Sequence, residues 1–273
     1  MAATVAPPPR WQVDGRIERD DEWFRIDGRL RPVGADSRTV FLPSGSKGIF
    51  LPGQYQFITT DGQRVEADLD RDQPGVPDGW GQQAVDSEGV KWQLGVRSPD
   101  CFSTAVVDRI ELWLPTEDGV VPLVLARDLH MPLGIAPPPW GETVNGARLR
   151  IAMPRATWKR GEQLRFYYQA ESTQPGKRVF RTEHRREPPC CQVLIDGTVV
   201  RIFSGGVSTG ILYDFPFQGV TRLAYNLSLS PGRHALVFTV TGDGGSHTNA
   251  RGEKIPRFEG TLVSNAVEFE MAE

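Results

Sequence analysis

The sequence predicts an all-β protein of two β-sandwich domains, immunoglobulin-like or jelly-roll-like, on three observations. Apolar runs are short and rich in β-branched or aromatic residues, as in Gln192-Val193-Leu194-Ile195 and Phe238-Thr239-Val240-Thr241, which suits strands rather than helices. These runs close on turn residues, Asp196-Gly197 and Gly242-Asp243-Gly244-Gly245 in the two examples. Glycine (29) and proline (22) are both used above the average for globular chains, as many tight turns require.

Taken in order, residues 1–10 read as a disordered Pro-rich arm without a packing role. Residues 11–31 alternate through Trp11, Val13, Trp23-Phe24, Ile26 and Leu30, with Asp14-Gly15 and Asp27-Gly28 read as hairpin turns. Strands are predicted at 38–42, 48–51, 54–60 and 63–68, then at 90–96, 105–114 and 120–127. Glu117-Asp118-Gly119 closes the last hairpin of this half. Residues 11–134 form the predicted N-terminal sandwich.

The stretch 135–141, Ile135-Ala136-Pro137-Pro138-Pro139-Trp140-Gly141, is the predicted linker. Three consecutive prolines lack ladder donors and favour an extended spacer. In the C-terminal sandwich, 142–273, strands are predicted at 147–153, 163–170, 178–183, 191–196, 198–204, 221–229, 233–241 and 262–271. The most helix-permissive stretch, Phe180 to Glu187, is short and stops at Pro188-Pro189.

Charge and length exclude some functions. With 31 Lys+Arg against 34 Asp+Glu the net charge is −3, so nucleic-acid binding driven by overall charge is not expected. No apolar run reaches the ~18 residues of a membrane helix, so no membrane span is expected. The N-terminus has neither a basic nor an apolar leader segment, which points to the cytoplasm unless a signal was removed. Three cysteines, two of them adjacent (Cys190, Cys191) with Cys101 apart, favour reduced thiols over a disulfide framework.

Two segments resemble known families. Ser230-Pro231-Gly232-Arg233-His234-Ala235-Leu236-Val237, together with Leu262 to Glu270, resembles the closing strands of bacterial immunoglobulin-like and fibronectin-like modules. Leu51-Pro52-Gly53-Gln54-Tyr55 echoes the same Pro-Gly turn before a strand in the N-terminal half. The segment Asp68-Leu69-Asp70-Arg71-Asp72, continued by Pro77-Asp78-Gly79-Trp80, resembles a thrombospondin type-3 calcium repeat. That resemblance implies Asp68, Asp70, Asp72 and Asp78 as calcium ligands, a chemistry suited to a hard, oxygen-seeking cation. Gln73 stands where the repeat has its turn glycine, and Asp78 lies two residues further on than the repeat places it. The competing reading is a solvated acidic turn. Like charges ~7 Å apart in water repel by only about half a kcal/mol, so no ion is needed to hold it.

Other constellations are weaker. His184 with Cys190 and Cys191 lacks zinc-site spacing. Ser204-Gly205-Gly206 lacks both the nucleophile-elbow and the phosphate-loop contexts. The basic run Lys177 to Arg186 suits an anionic ligand, or a strand edge protected against aggregation. Trp80, Trp92, Trp113, Trp140 and Trp158 lie near turns or strand ends, where indoles either stack sugars or fill the core.

The leading expectation is therefore a non-catalytic binding protein that recognises carbohydrate or a protein partner through loops 69–89 and 242–260. Its candidate ligand-binding residues are Trp80, Trp92, Asp243, His247, Asn249 and Arg251, with Lys254 nearby. The alternatives are a carbohydrate-active enzyme or accessory domain, and a structural subunit that homo-oligomerises through strand edges.

Overall fold

Strand follows strand from Trp11 to Ala272 in the computed structural model, with no helix among the described residues. Those residues are 11–20, 23–33, 38–43, 48–49, 55–65, 80–116, 119–126, 128–173, 179–182, 191–200, 211–223, 227–248 and 251–273. The protein is all-β. It divides into two units, Met1–Gly134 and Ile135–Glu273, each with its own sheets and buried core.

The first unit contains β1 (Trp11–Asp20), β2 (Trp23–Pro32), β3 (Arg38–Pro43), β4 (Gly48–Ile49), β5 (Tyr55–Thr59), β6 (Arg64–Val65), β7 (Trp80–Val85), β8 (Val90–Arg97), β9 (Val106–Thr116), β10 (Gly119–Ala126) and β11 (Met131–Pro132). One sheet has the order β1-β2-β8-β4, and the other runs β6-β5-β9-β3-β7 with β10 and β11 also on β9. Phe24 of β2 and Phe57 of β5 are fully buried, with ring centroids 4.9 Å apart, and they join the two sheets.

One local expectation fails here. Asp14-Gly15 and Asp27-Gly28 are not turns. Gly15 pairs with Gly28 in the middle of a ladder that runs from Trp11↔Pro32 to Asp20↔Trp23. Asp-Gly favours a tight turn only locally, and ten consecutive residue pairs outweigh that preference.

The second unit contains β12 (Ala147–Ala152), β13 (Thr157–Lys159), β14 (Arg165–Ser172), β15 (Val179–Thr182), β16 (Cys191–Ile195), β17 (Thr198–Val200), β18 (Ile211–Asp214), β19 (Phe217–Arg222), β20 (Gly232–Asp243), β21 (Ser246–Thr248), β22 (Lys254–Pro256), β23 (Glu259–Val263) and β24 (Val267–Ala272). A three-stranded sheet, β12-β14-β19, shares its core with a six-stranded sheet, β13-β24-β20-β16-β17, in which β23 also pairs with β20. Strict alternation sets the inward residues. Ala147, Leu149 and Ile151 of β12 are fully buried, while Arg148 and Arg150 between them are not. Phe166 of β14 meets Phe238 of β20 at 5.2 Å across the sandwich, and Tyr168 meets the same ring at 5.4 Å. Burying a ring of this size stabilises by roughly 1.5–3 kcal/mol.

The strand predicted at 178–183 is observed as β15. Two further expectations are revised. The strand predicted at 221–229 is β19, which starts earlier and ends at Arg222. The segment 242–260 is a folded hairpin rather than a long loop. There β20 runs on to Asp243, Gly244 and Gly245 bend the chain with φ of 71° and 81°, and β21 pairs with β22.

The outer edge of β12 is closed by groups that are not strands. The Gly141 N–H donates to the Leu149 carbonyl at 2.9 Å. Asn265 then serves Ile151 twice: its Oδ1 accepts the Ile151 N–H at 2.8 Å, and its Nδ2 donates to the Ile151 carbonyl at 3.1 Å. This explains why the single strand predicted at 262–271 is two. The break between β23 and β24 holds Asn265, which mimics a missing neighbour for β12.

Candidate binding surface

The sequence-predicted site residues do not converge on one described site. Asp68, Asp70, Asp72 and Asp78 lie outside the described residues, as does Asn249. Among the described residues, no group of three His, Cys, Asp or Glu is placed to hold a metal ion. Trp80 opens β7, opposite Pro43 in one sheet, whereas Trp92 lies in β8, opposite Gly28 in the other. Asp243 pairs with Glu259 at the end of β20, His247 pairs with Ile255, and Arg251 is exposed beyond them at the hairpin tip. Trp158 belongs to the core: it is fully buried, and its Nε1 donates to the Arg155 carbonyl at 3.2 Å. Cys101 is a buried thiol and Cys191 a half-buried one.

Among the described residues, a polar group held by several contacts lies on the outward side of β12 and β14, which the sequence reading did not single out. Because Leu149 and Ile151 point into the core, Arg148 and Arg150 point out. Their cross-strand partners are Glu171 and Gln169. Arg148 Nε donates to Glu171 Oε1 at 2.7 Å, and Arg150 Nε donates to Gln169 Oε1 at 2.9 Å. The indole of Trp140 lies over both guanidinium groups, 4.6 Å from Arg148 and 4.1 Å from Arg150. Stacking of this kind contributes about 0.5–1 kcal/mol per pair at exposed sites. It also fixes three otherwise mobile side chains in one arrangement.

The only part of this face that the sequence announces is the alternation in Arg148-Leu149-Arg150-Ile151. Which residues oppose the arginines depends on strand pairing, and Trp140 reaches them from the predicted linker.

A second cluster has the composition of a catalytic pair but not its geometry. His234, buried on β20, brings Nδ1 to 2.6 Å from Asp196 Oδ2 and Nε2 to 2.8 Å from the Ser230 carbonyl oxygen. Both partners are acceptors, an arrangement that favours the doubly protonated ring. The Asp196 hydrogen bond raises the His234 pKa above its usual value, against the opposing effect of burial. The Asp196 carboxyl is held below its usual range, first by the Ala235 N–H and then by His234. With both nitrogens committed, this ring cannot take a proton from a substrate. It ties the Asp196-Gly197 turn, whose φ values are 50° and 77°, to the start of β20.

No family model and no curated protein matches the chain. Among solved structures it is similar to red sea bream transglutaminase, at 11% identity and a TM-score of 0.24, over 98% of this chain and 32% of that one. A DUF4785 family protein from Legionella pneumophila gives 12% identity and a TM-score of 0.22, over 96% of this chain and 62% of that one. Murine CEACAM1b gives 10% identity and a TM-score of 0.20, over 96% of this chain and 100% of that one. The chain thus spans less than two thirds of the transglutaminase and of the DUF4785 protein. Likenesses this slight carry no argument about what the chain does.

Proposed function

We propose that the chain is a non-catalytic binding protein that engages a protein or carbohydrate partner through the outer face of β12-β14-β19. The observation that supports this reading is the stacked Trp140–Arg148–Arg150 group, with its two arginines pinned to Glu171 and Gln169. Tryptophan and arginine are the residues most enriched among those that dominate interface energetics. A preorganised pair of them also loses little side-chain entropy on binding. The closed His234–Asp196 pair removes the one described histidine–carboxylate couple from the catalytic alternatives.

The test compares the intact chain with Trp140→Ala as affinity baits in a lysate of its own cells and on a glycan array. A ligand held by the intact chain and lost by the variant, with both equally folded by circular dichroism, supports the reading. Identical profiles from the two baits refute it.

A further inference from the structure

Two of the three large apolar side chains exposed among the described residues share one face, Val199 at 56% and Val263 at 42%. It is the outer face of the six-stranded sheet, across the second unit's core from β12-β14-β19. The alternation that buries Val193, Phe238 and Leu262 turns their neighbours along the strands outward. Strand pairing then sets Val199, Leu194 and Val237 in one row, and Gln192, Thr239 and Val263 in the next. Each of these six is exposed or half-buried, so the face is open. Beyond them Thr241 and Thr261, also exposed, are joined hydroxyl to hydroxyl at 3.0 Å.

None of the residues in these rows carries a charge. Charge returns at the margins, with Arg233 and Glu268 at one end and Glu259 at the other. Depletion of charge at the centre, inside a polar rim, is the compositional mark of a protein interface. Adjoining exposed apolar side chains point the same way, whereas scattered ones do not. The missing charge also selects the partner. A two-fold contact lays a face on its own copy, so any charge near the axis would meet its like; this face has none there. Strands about 4.8 Å apart and outward residues about 7 Å apart give the uncharged centre roughly 400 Å² on each copy. With its rim, a pair would bury on the order of 1,000 Å², the lower bound for a specific interface. That size suits a dimer that forms and parts readily.

We infer that two copies of the chain associate face to face through Val199, Leu194, Val237 and Val263 into a weak, reversible dimer. The contact is made by a sheet face rather than by strand edges. It leaves the Trp140 group, on the other side of the core, uncovered for a different partner.

The experiment is analytical ultracentrifugation of the full chain over a concentration series, at low and at high salt. A dimer is expected with a Kd on the order of tens of micromolar, and salt should not weaken a contact whose centre holds no charge. Val199→Lys sets like charges into the contact and is expected to raise the Kd about tenfold. Val263→Lys does the same at a second exposed position and keeps the test valid should the first variant misfold. Val33→Lys makes the same change of charge at a site 49% exposed in the first unit and is expected to leave association unaltered. Trp140→Ala should dimerise as the intact chain does. A chain that stays monomeric throughout the series overturns the inference, as does a dimer that neither Val199→Lys nor Val263→Lys weakens. Association that high salt abolishes, or that Trp140→Ala removes, also overturns it, because the contact would then be ionic or lie on the other sheet.

Discussion

Asp196 Oδ2 lies 2.6 Å from His234 Nδ1, although the two residues are 38 positions apart, and the bond locks a hairpin turn to the longest strand of the second unit. The pair makes stability depend on pH at both ends. The pKa of His234 is raised in the folded state, so its contribution is complete below about 6.5, the ordinary histidine value. It disappears as pH rises through the folded pKa. The pKa of Asp196 is lowered, so its contribution is complete above about 3.9 and disappears as pH falls through its folded pKa. The clasp is therefore at full strength between about pH 4 and 6.5. Melting temperature should fall as pH rises beyond that window, and Asp196→Asn or His234→Gln should flatten the fall. Equal slopes in intact and variant chains would contradict this account.

Gly141 occupies a position with no room for a side chain. A β-carbon there would stand 2.0 Å from the Val263 carbonyl oxygen and 2.9 Å from the Ser264 carbonyl carbon. Both contacts are to backbone, which cannot swing aside. Gly141→Ala should therefore destabilise the second unit by about 2–3 kcal/mol, read as a lower urea midpoint with an unchanged slope. An unchanged midpoint would show that the approach is looser than described.

Asn265 should be more sensitive to its chemistry than to its size. Asn265→Ala leaves the Ile151 N–H and carbonyl without the partner that both now share, a loss of about 1–3 kcal/mol. Asn265→Asp keeps the acceptor for the N–H but sets a carboxylate oxygen against the Ile151 carbonyl, so it should not restore stability. Hydrogen exchange at the Ile151 amide is the direct readout: faster than native in Asn265→Ala, with Asn265→Asp recovering only part of the protection through its remaining acceptor.

Phe238 touches both Phe166 and Tyr168 from the opposite sheet. Phe238→Ala should cost about 3–5 kcal/mol, whereas Phe238→Leu should lose less because it keeps most of the volume. Equal losses for the two would mean that the space between the sheets collapses freely.

The sequence was most informative where the physics is local. Alternation announced the strands, so the all-β class and most strand positions were legible before any coordinates. The same dipeptide shows where that reading stops: Asp196-Gly197 is a turn with both φ values positive, while Asp14-Gly15 and Asp27-Gly28 lie within paired strands. A local preference of this kind decides only when no long ladder competes. Strands as short and polar as Ser246–Thr248 and Lys254–Pro256 hold at most one apolar residue, Ile255, too little for alternation to separate them from loop. His234 was recognised as part of an alternating strand, but its partner arrives from another hairpin. The facing of Arg165 and Arg222 likewise exists only once β14 and β19 are paired. The acidic stretch from Asp68 to Asp78 lies outside the described residues.

Plugging of the β12 margin by Gly141 and Asn265 also affects how copies of the chain behave when crowded. A bare β-margin is a template on which an incoming chain can zip and start a ribbon. Here the amide of one side chain and the N–H of one glycine already occupy those sites on Leu149 and Ile151. Concentrated samples should therefore not polymerise from this rim, and loss of Asn265 would be the change that opens it.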